Sequence, residues 1–251
     1  MTAAMSFTAH PNKRPEEGAA NHDLNPSPDA SHPVMSAAQQ VVSRQRVEDH
    51  GEVYTAQREV NAMLDMVGAE VSRIEARVLE PACGHGNFLA EVLQRKLATI
   101  QKRYGNSQIE FERYAILGVG SIYGIDILED NVKACRQRLQ AQLVSTYRQL
   151  FPQTFKAACV ARVENILRLN IVWGDALSFL SMAEPGQPIV FSEWTAAPGH
   201  MLKQRDFSFH GLVTHQEIAS LPLFSDMGEQ VYIPSPVKDH PLVPFLKASN
   251  G

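Results

Sequence analysis

Three short segments of the chain place glycine or a carboxylate where a nucleoside ligand could use them. The first is Glu80-Pro81-Ala82-Cys83-Gly84-His85-Gly86-Asn87-Phe88. Glycines between a strand and a helix let a ligand approach the backbone, and the helix start offers the positive end of its dipole. The second is Gly124-Ile125-Asp126-Ile127. A carboxylate at that strand end can accept both hydroxyls of a ribose. The third is Trp173-Gly174-Asp175-Ala176-Leu177, whose carboxylate can accept an exocyclic amino hydrogen of adenine. Each has an ordinary alternative when taken alone: a tight turn, a helix N-cap, a turn aspartate. Following three strands in succession, they make one pattern.

The elements that position them are legible from periodicity. Val60, Met63, Leu64 and Val67 recur at helical spacing, with Thr55 upstream as an N-cap. Arg77 to Glu80 reads as a short strand closed by Pro81, and the segment after Asn87 as a helix carrying Phe88, Leu89, Val92, Leu93, Leu97 and Ile100. A second strand spans Ser121 to Ile127. Helices follow around Val132, Cys135, Leu139 and Leu143, then around Val163, Ile166 and Leu167. Asn170 to Trp173 and Gln187 to Phe191 read as two further buried strands. Strands alternating with helices predict right-handed βαβ units: an α/β fold, Rossmann-like and doubly wound, with a largely parallel sheet.

Composition sets the outer limits. At 251 residues with 44% hydrophobic content, the chain can bury a sizeable core, which excludes wholly disordered and collagen-like readings. Residues 1–45, rich in Pro, Asn, Ser and Ala with Phe7 as the one aromatic, read as a disordered tail. Residues 46–195 form the expected α/β domain. Residues 196–251 are Pro-rich and read as irregular, packed on the core, with weak strand candidates near 207–213 and 231–233. No apolar run approaches the ~18–20 residues of a membrane span, and the first residues lack an apolar leader core. Three scattered cysteines (Cys83, Cys135, Cys159) make neither a disulfide framework nor a zinc cluster, so the expectation is a cytoplasmic protein without metal. A formal charge of −4 excludes a generally basic surface; nucleic acid would have to be met by a local patch or through a partner.

The succession EPACGHGNF, GIDI and GDAL resembles the S-adenosylmethionine site of class I methyltransferases, and more narrowly that of the adenine-N6 DNA methyltransferases of restriction-modification systems. The narrower resemblance rests on Gly51-Glu52-Val53-Tyr54-Thr55-Ala56, which is similar to the segment preceding the glycine motif in that group, with Ala56 where the family usually has Pro. It implies the following roles. Tyr54 and Thr55 flank the methionine carboxylate. Glu80, Ala82, Gly84 and Gly86 line the amino-acid portion. Asp126 holds the ribose and Ile127 packs on adenine, while Asp175 and Ala176 read its amino group and edge. An NAD-type reading fits less well, because the third glycine is missing and the acid lies about forty residues on instead of ~20.

The family's catalytic Asn/Asp-Pro-Pro-aromatic motif is absent. Phe191-Ser192-Glu193-Trp194-Thr195 stands after the expected fourth strand. Ser192, Glu193 and Trp194 are therefore the candidate catalytic residues, with Ser192 as acceptor for the target amine and Trp194 as a stacking face for a flipped base. The alternative is a strand running into a loop with Trp194 as packing. The methyltransferase core is accordingly expected to be incomplete in its C-terminal half. Between the second and third motifs, Arg136, Arg138, Arg148, Lys156, Arg162 and Arg168 lie on a helical insert that either meets phosphate or is a solvated face. The resemblance implies methyl transfer to adenine N6 in DNA, with a specificity subunit as partner. A non-catalytic S-adenosylmethionine-binding regulator or scaffold, and a methyltransferase of RNA or protein, are the competing functions.

Overall fold

The computed structural model describes residues 55–213 and 235–246. All of them belong to the larger of two units into which the chain divides, Ala37–Gly251. The expected tail, Tyr54 and the strand candidate at 231–233 lie outside the described residues. Among those described, no helix is long and apolar enough to cross a membrane.

The first described elements are helix α1 (Gln57–Met66) and a single turn α2 (Gly68–Val71). It then forms β1 (Val78–Glu80), α3 (Asn87–Tyr104), α4 (Gln108–Gly120) and β2 (Ile122–Asp126). Next come α5 (Glu129–Leu150), α6 (Ala157–Asn170) and β3 (Ile171–Asp175). β1, β2 and β3 pair in parallel, Glu80 opposite Gly124 and Asp126 opposite Trp173. A two-residue strand β4 (Leu180–Ser181) adds antiparallel to β3. The molecule is thus a mixed α/β protein built on a mostly parallel four-stranded sheet.

Strand alternation divides the sheet into two faces. Val78, Ile122 and Ile171 join the large core built with the helices. Tyr123, Ile125 and Val172 point the other way, into a smaller cluster with Ile189, Phe191 and Phe209. The helices between the parallel strands therefore pack on one face, and no helical layer comparable to theirs covers the other among the described residues. Helix α4, which periodicity did not predict, explains itself by burial. Phe111, Ala115, Ile116 and Val119 are enclosed together with both glycines at its end, which leaves little amphipathic contrast to read.

The C-terminal part differs most from expectation. β5 (Val190–Ala197) and β6 (Met201–Ser208) form a regular antiparallel hairpin across Pro198-Gly199-His200, and short strands β7 (Lys238–Asp239) and β8 (Val243–Pro244) pair with β6. The expected boundary at 195/196 would cut this hairpin in two. The strand placed at Gln187 to Phe191 is not a fourth parallel strand. A parallel return needs a crossover of about a dozen residues or more, usually a helix. Here the chain leaves β3, reverses through Phe179 in the left-handed region (φ 63°) and β4, and enters β5 with no helix between.

The direction of β5 follows from its contacts. The Ile189 N–H donates to the Phe179 carbonyl (2.8 Å), just beyond the carboxyl end of β3. The Ser192 N–H donates to the Asn170 side chain (3.0 Å), just before its amino end. Glu193 pairs with Arg77, which precedes β1. β5 therefore runs opposite to the three parallel strands.

Candidate cofactor site at the carboxyl ends of the strands

The glycine segment folds as a tight loop held to the sheet. The Cys83 N–H donates to the Ile125 carbonyl (2.9 Å) and the Gly86 N–H to the Cys83 carbonyl (2.8 Å). Gly86 caps α3 in the left-handed region (φ 80°), and a Cβ there would come within 2.7 Å of the Cys135 sulfur on α5. Only glycine allows both this turn and this approach of α5. A Cβ on Gly124 would likewise meet Leu89 at 2.9 Å, so β2 lets α3 lie close. Cys83 is buried beside Cys135; their interaction, together with burial, pushes the Cys83 thiol up.

Asp126 sits at the centre of this end and is 8% exposed. Its Oδ2 accepts the Gly84 N–H (2.8 Å), while Oδ1 accepts the Leu128 N–H (2.9 Å) and the Asn131 amide (3.2 Å). An ionised carboxylate offers about four acceptor positions. Three are filled, so the expected grip on two ribose hydroxyls is reduced to at most one further acceptor position, on Oδ2. Sequence reading missed Asn131, although it stands five residues after Asp126 at the start of α5, where a side chain returns to the strand end.

The neighbouring residues converge to different degrees. Glu80 is half-buried, and burial pushes its carboxyl up against the opposing pull of the Ala82 N–H. Ala82 is exposed and Gly84, with φ 49°, is half-buried. Ile127 leaves 47% of its surface in solvent beside Asp126, while its carbonyl accepts the Trp173 indole N–H (2.9 Å). Asp175 closes a turn by accepting the Leu177 N–H (2.9 Å), and hydrogen bonds from Ser178 and Leu177 hold its carboxyl below the usual range. Ala176 packs half-buried on the smaller cluster. Thr55 is exposed and is not the helix cap. Ala56 takes that position, its N–H donating to Glu59 (3.2 Å). The start of α1 is nevertheless tied to α3 by Gln57, whose amide donates to Glu91 (3.2 Å).

Ser192, Glu193 and Trp194 lie at the other end. Ser192 is buried and its hydroxyl donates to Asp206 (2.7 Å). Glu193 pairs with both Arg77 and Arg205. Trp194 is 5% exposed, and a Cβ on Gly120 would lie 3.0 Å from it. No flipped base can stack on a ring so enclosed. The catalytic assignment is corrected by the reversed course of β5, which carries these residues to the amino ends of the parallel strands.

The basic insert is also committed elsewhere. Arg136 donates to the Ile171 and Arg168 carbonyls, Arg138 to Asn87, and Lys156 pairs with Glu112 (3.0 Å). Arg162 is fully buried and donates to the Phe245 carbonyl (3.0 Å). Arg148 lies over the Phe155 ring (4.8 Å). These contacts join helices to one another, to β3 and to the C-terminal segment, while Arg138, Arg148 and Arg168 remain exposed.

Fold and site together define an α/β protein whose glycine loop, Asp126 and Asp175 turn lie at the carboxyl ends of three parallel strands. No family model, curated protein or solved structure matches the chain.

Proposed function

We propose that the chain binds S-adenosylmethionine at this end of the sheet, as the cofactor-binding part of a methyltransferase acting on adenine N6 in DNA, with a partner subunit completing the acceptor site. One observation carries the reading: the glycine loop, Asp126 and the Asp175 turn, far apart in sequence, all lie beyond the carboxyl ends of adjacent parallel strands. Ligands of open α/β sheets bind there. The methyltransferase-type Rossmann core, with its missing C-terminal half, is part of the same proposal.

The residues present suit the cofactor. The open acceptor position on Asp126 takes one ribose hydroxyl, and exposed Ile127 offers an apolar face to a planar base. The first turn of α3 presents backbone N–H groups and the positive end of its dipole to a carboxylate. Glu80, its proton affinity raised by burial, gains an ammonium partner that favours its ionised form. The cofactor supplies an electrophilic methyl group on a sulfonium centre; these side chains hold and orient it.

Calorimetric titration of the full chain with S-adenosylmethionine tests the reading. Saturable binding is expected, weakened about tenfold or more in Asp126→Ala and several-fold in Ile127→Ser, which leaves the Asp126 hydrogen bonds in place. Absence of binding by folded wild-type protein would overturn it. The position of Ser192–Trp194 favours a second reading, a non-catalytic S-adenosylmethionine-binding regulator. Binding without methyl incorporation into DNA, RNA or protein, even with partner subunits added, would select that one.

A further inference from the structure

The face of the sheet turned away from the helices carries a separate cavity of about 190 Å³. Its walls are Tyr123 of β2 and the rings of Phe191, Phe207 and Phe209, and its rim holds Arg77 and Glu193. The walls support one another: Tyr123 and Phe191 meet edge to face at 5.3 Å between centroids, and Phe191 and Phe209 at 5.7 Å. Such contacts set the rings in place before a ligand arrives. The cavity is smaller than the ~300–1,000 Å³ of pockets for drug-sized ligands, so it suits one or two fused rings.

Two polar features give the cavity a direction. Tyr123 is 8% exposed, and its hydroxyl makes no hydrogen bond among the described residues. Tyr123 lines the cavity, and its hydroxyl is a donor for an acceptor placed there. Burial raises its pKa, which keeps it protonated. At the rim, Glu193 is shared by two guanidiniums, Arg77 and Arg205. Two cations around one carboxylate leave an excess of positive charge. The Arg77 side chain is 62% exposed, with N–H donors beyond the one given to Glu193.

We propose that this cavity binds a small aromatic carboxylate. Its ring lies among Phe191, Phe207 and Phe209, and its carboxylate accepts hydrogen bonds from Arg77 and the Tyr123 hydroxyl. Guanidinium and carboxylate match in plane and charge, and an aromatic wall rewards a flat ring. The site lies across the sheet from Asp126, since Tyr123 and Asp126 alternate to opposite faces of β2. It does not depend on the cofactor reading.

Titrating the full chain with indole-3-acetate, and with indole-3-acetamide of the same shape but no charge, tests the proposal by calorimetry and saturation-transfer NMR. The carboxylate is expected to bind saturably and the amide at least about fivefold more weakly. Tyr123→Phe should weaken the carboxylate about fivefold, and Arg77→Gln about tenfold. Tyr123→Phe should melt close to wild type without ligand, because it keeps the ring and its packing and removes only a hydroxyl with no protein partner. No saturable binding to folded wild-type protein, equal binding of acid and amide, or affinity unchanged in Tyr123→Phe would each overturn it.

Discussion

The two ends of the parallel strands are built to different ends from similar residue types. At the carboxyl ends, the left-handed glycine turn brings the Gly84 N–H onto Asp126. At the amino ends, polar side chains are numerous and many are paired, while Trp194 Nε1 and Arg205 Nε are buried without a hydrogen-bond partner. Lys96 donates to the carbonyls of Arg73, Ile74 and Ala76 at 2.6 to 3.0 Å, Ser121 to Ile74 and Gly118, and Asn170 to Gly120. The hairpin adds its own closed set, in which Asp206 accepts from Ser192 and Gln204 and contacts the His240 ring at 2.6 Å. A polar residue on a strand is thus no sign of a site by itself. The two ends differ in how their polar atoms are arranged: backbone turns around one carboxylate at the carboxyl ends, side chains paired across the hairpin at the amino ends.

If that contrast is correct, changes at the carboxyl ends should alter S-adenosylmethionine binding, and changes to the paired residues at the amino ends should alter stability while leaving that binding unchanged. The largest effect is expected from Gly86→Val, which combines a left-handed backbone with overlap on Cys135. It should cost about 3 kcal/mol or more in urea unfolding and abolish cofactor binding in whatever remains folded. Lys96→Met leaves three carbonyls without their donor; a loss of about 2 kcal/mol is expected, with cofactor affinity in the folded protein unchanged.

Asp206→Asn comes next. Burial would raise the Asp206 pKa, but hydrogen bonds from His240, Ser192 and Gln204 outweigh it and hold the carboxyl below its ordinary value. Because the folded state binds the proton more weakly than the unfolded state, the stabilisation is complete above about pH 4 and fades as pH falls below that. Wild type and Asp206→Asn should therefore differ by about 1 kcal/mol at pH 7 and converge in acid, as read by thermal melts across pH. The smallest effect belongs to Ser192→Ala. It should lose about 1 kcal/mol through the hydroxyl bonded to Asp206 and leave S-adenosylmethionine affinity within error. A large fall in affinity for Ser192→Ala would break the contrast between the ends.

Much of the carboxyl end was legible beforehand because its information is local. A short apolar strand, a glycine turn and an amphipathic helix repeat along the chain, and each acid follows its strand directly. The parts that were not legible depend on enclosure or on distant partners. Helix α4 lacks a clear polar stripe because most of its C-terminal half is buried. The regular hairpin at 190–208 was obscured by Pro198 and Gly199, which mark its turn and not the loss of order. The open state of Asp126 was overestimated, because Gly84 and Asn131 reach it from either side only once the loop is folded.

By itself the sequence determined the order of the parallel strands' motifs, the glycine positions and the division between apolar and polar faces, all consequences of residue type and short-range periodicity. Only the tertiary structure decided the direction of β5. An alternating strand pattern reads the same whichever way the strand runs in the sheet; the connection before it, too short on helix to cross over, sends the chain back antiparallel. That single reversal places Ser192, Glu193 and Trp194 at the closed end and leaves the carboxyl ends to the glycine loop and Asp126.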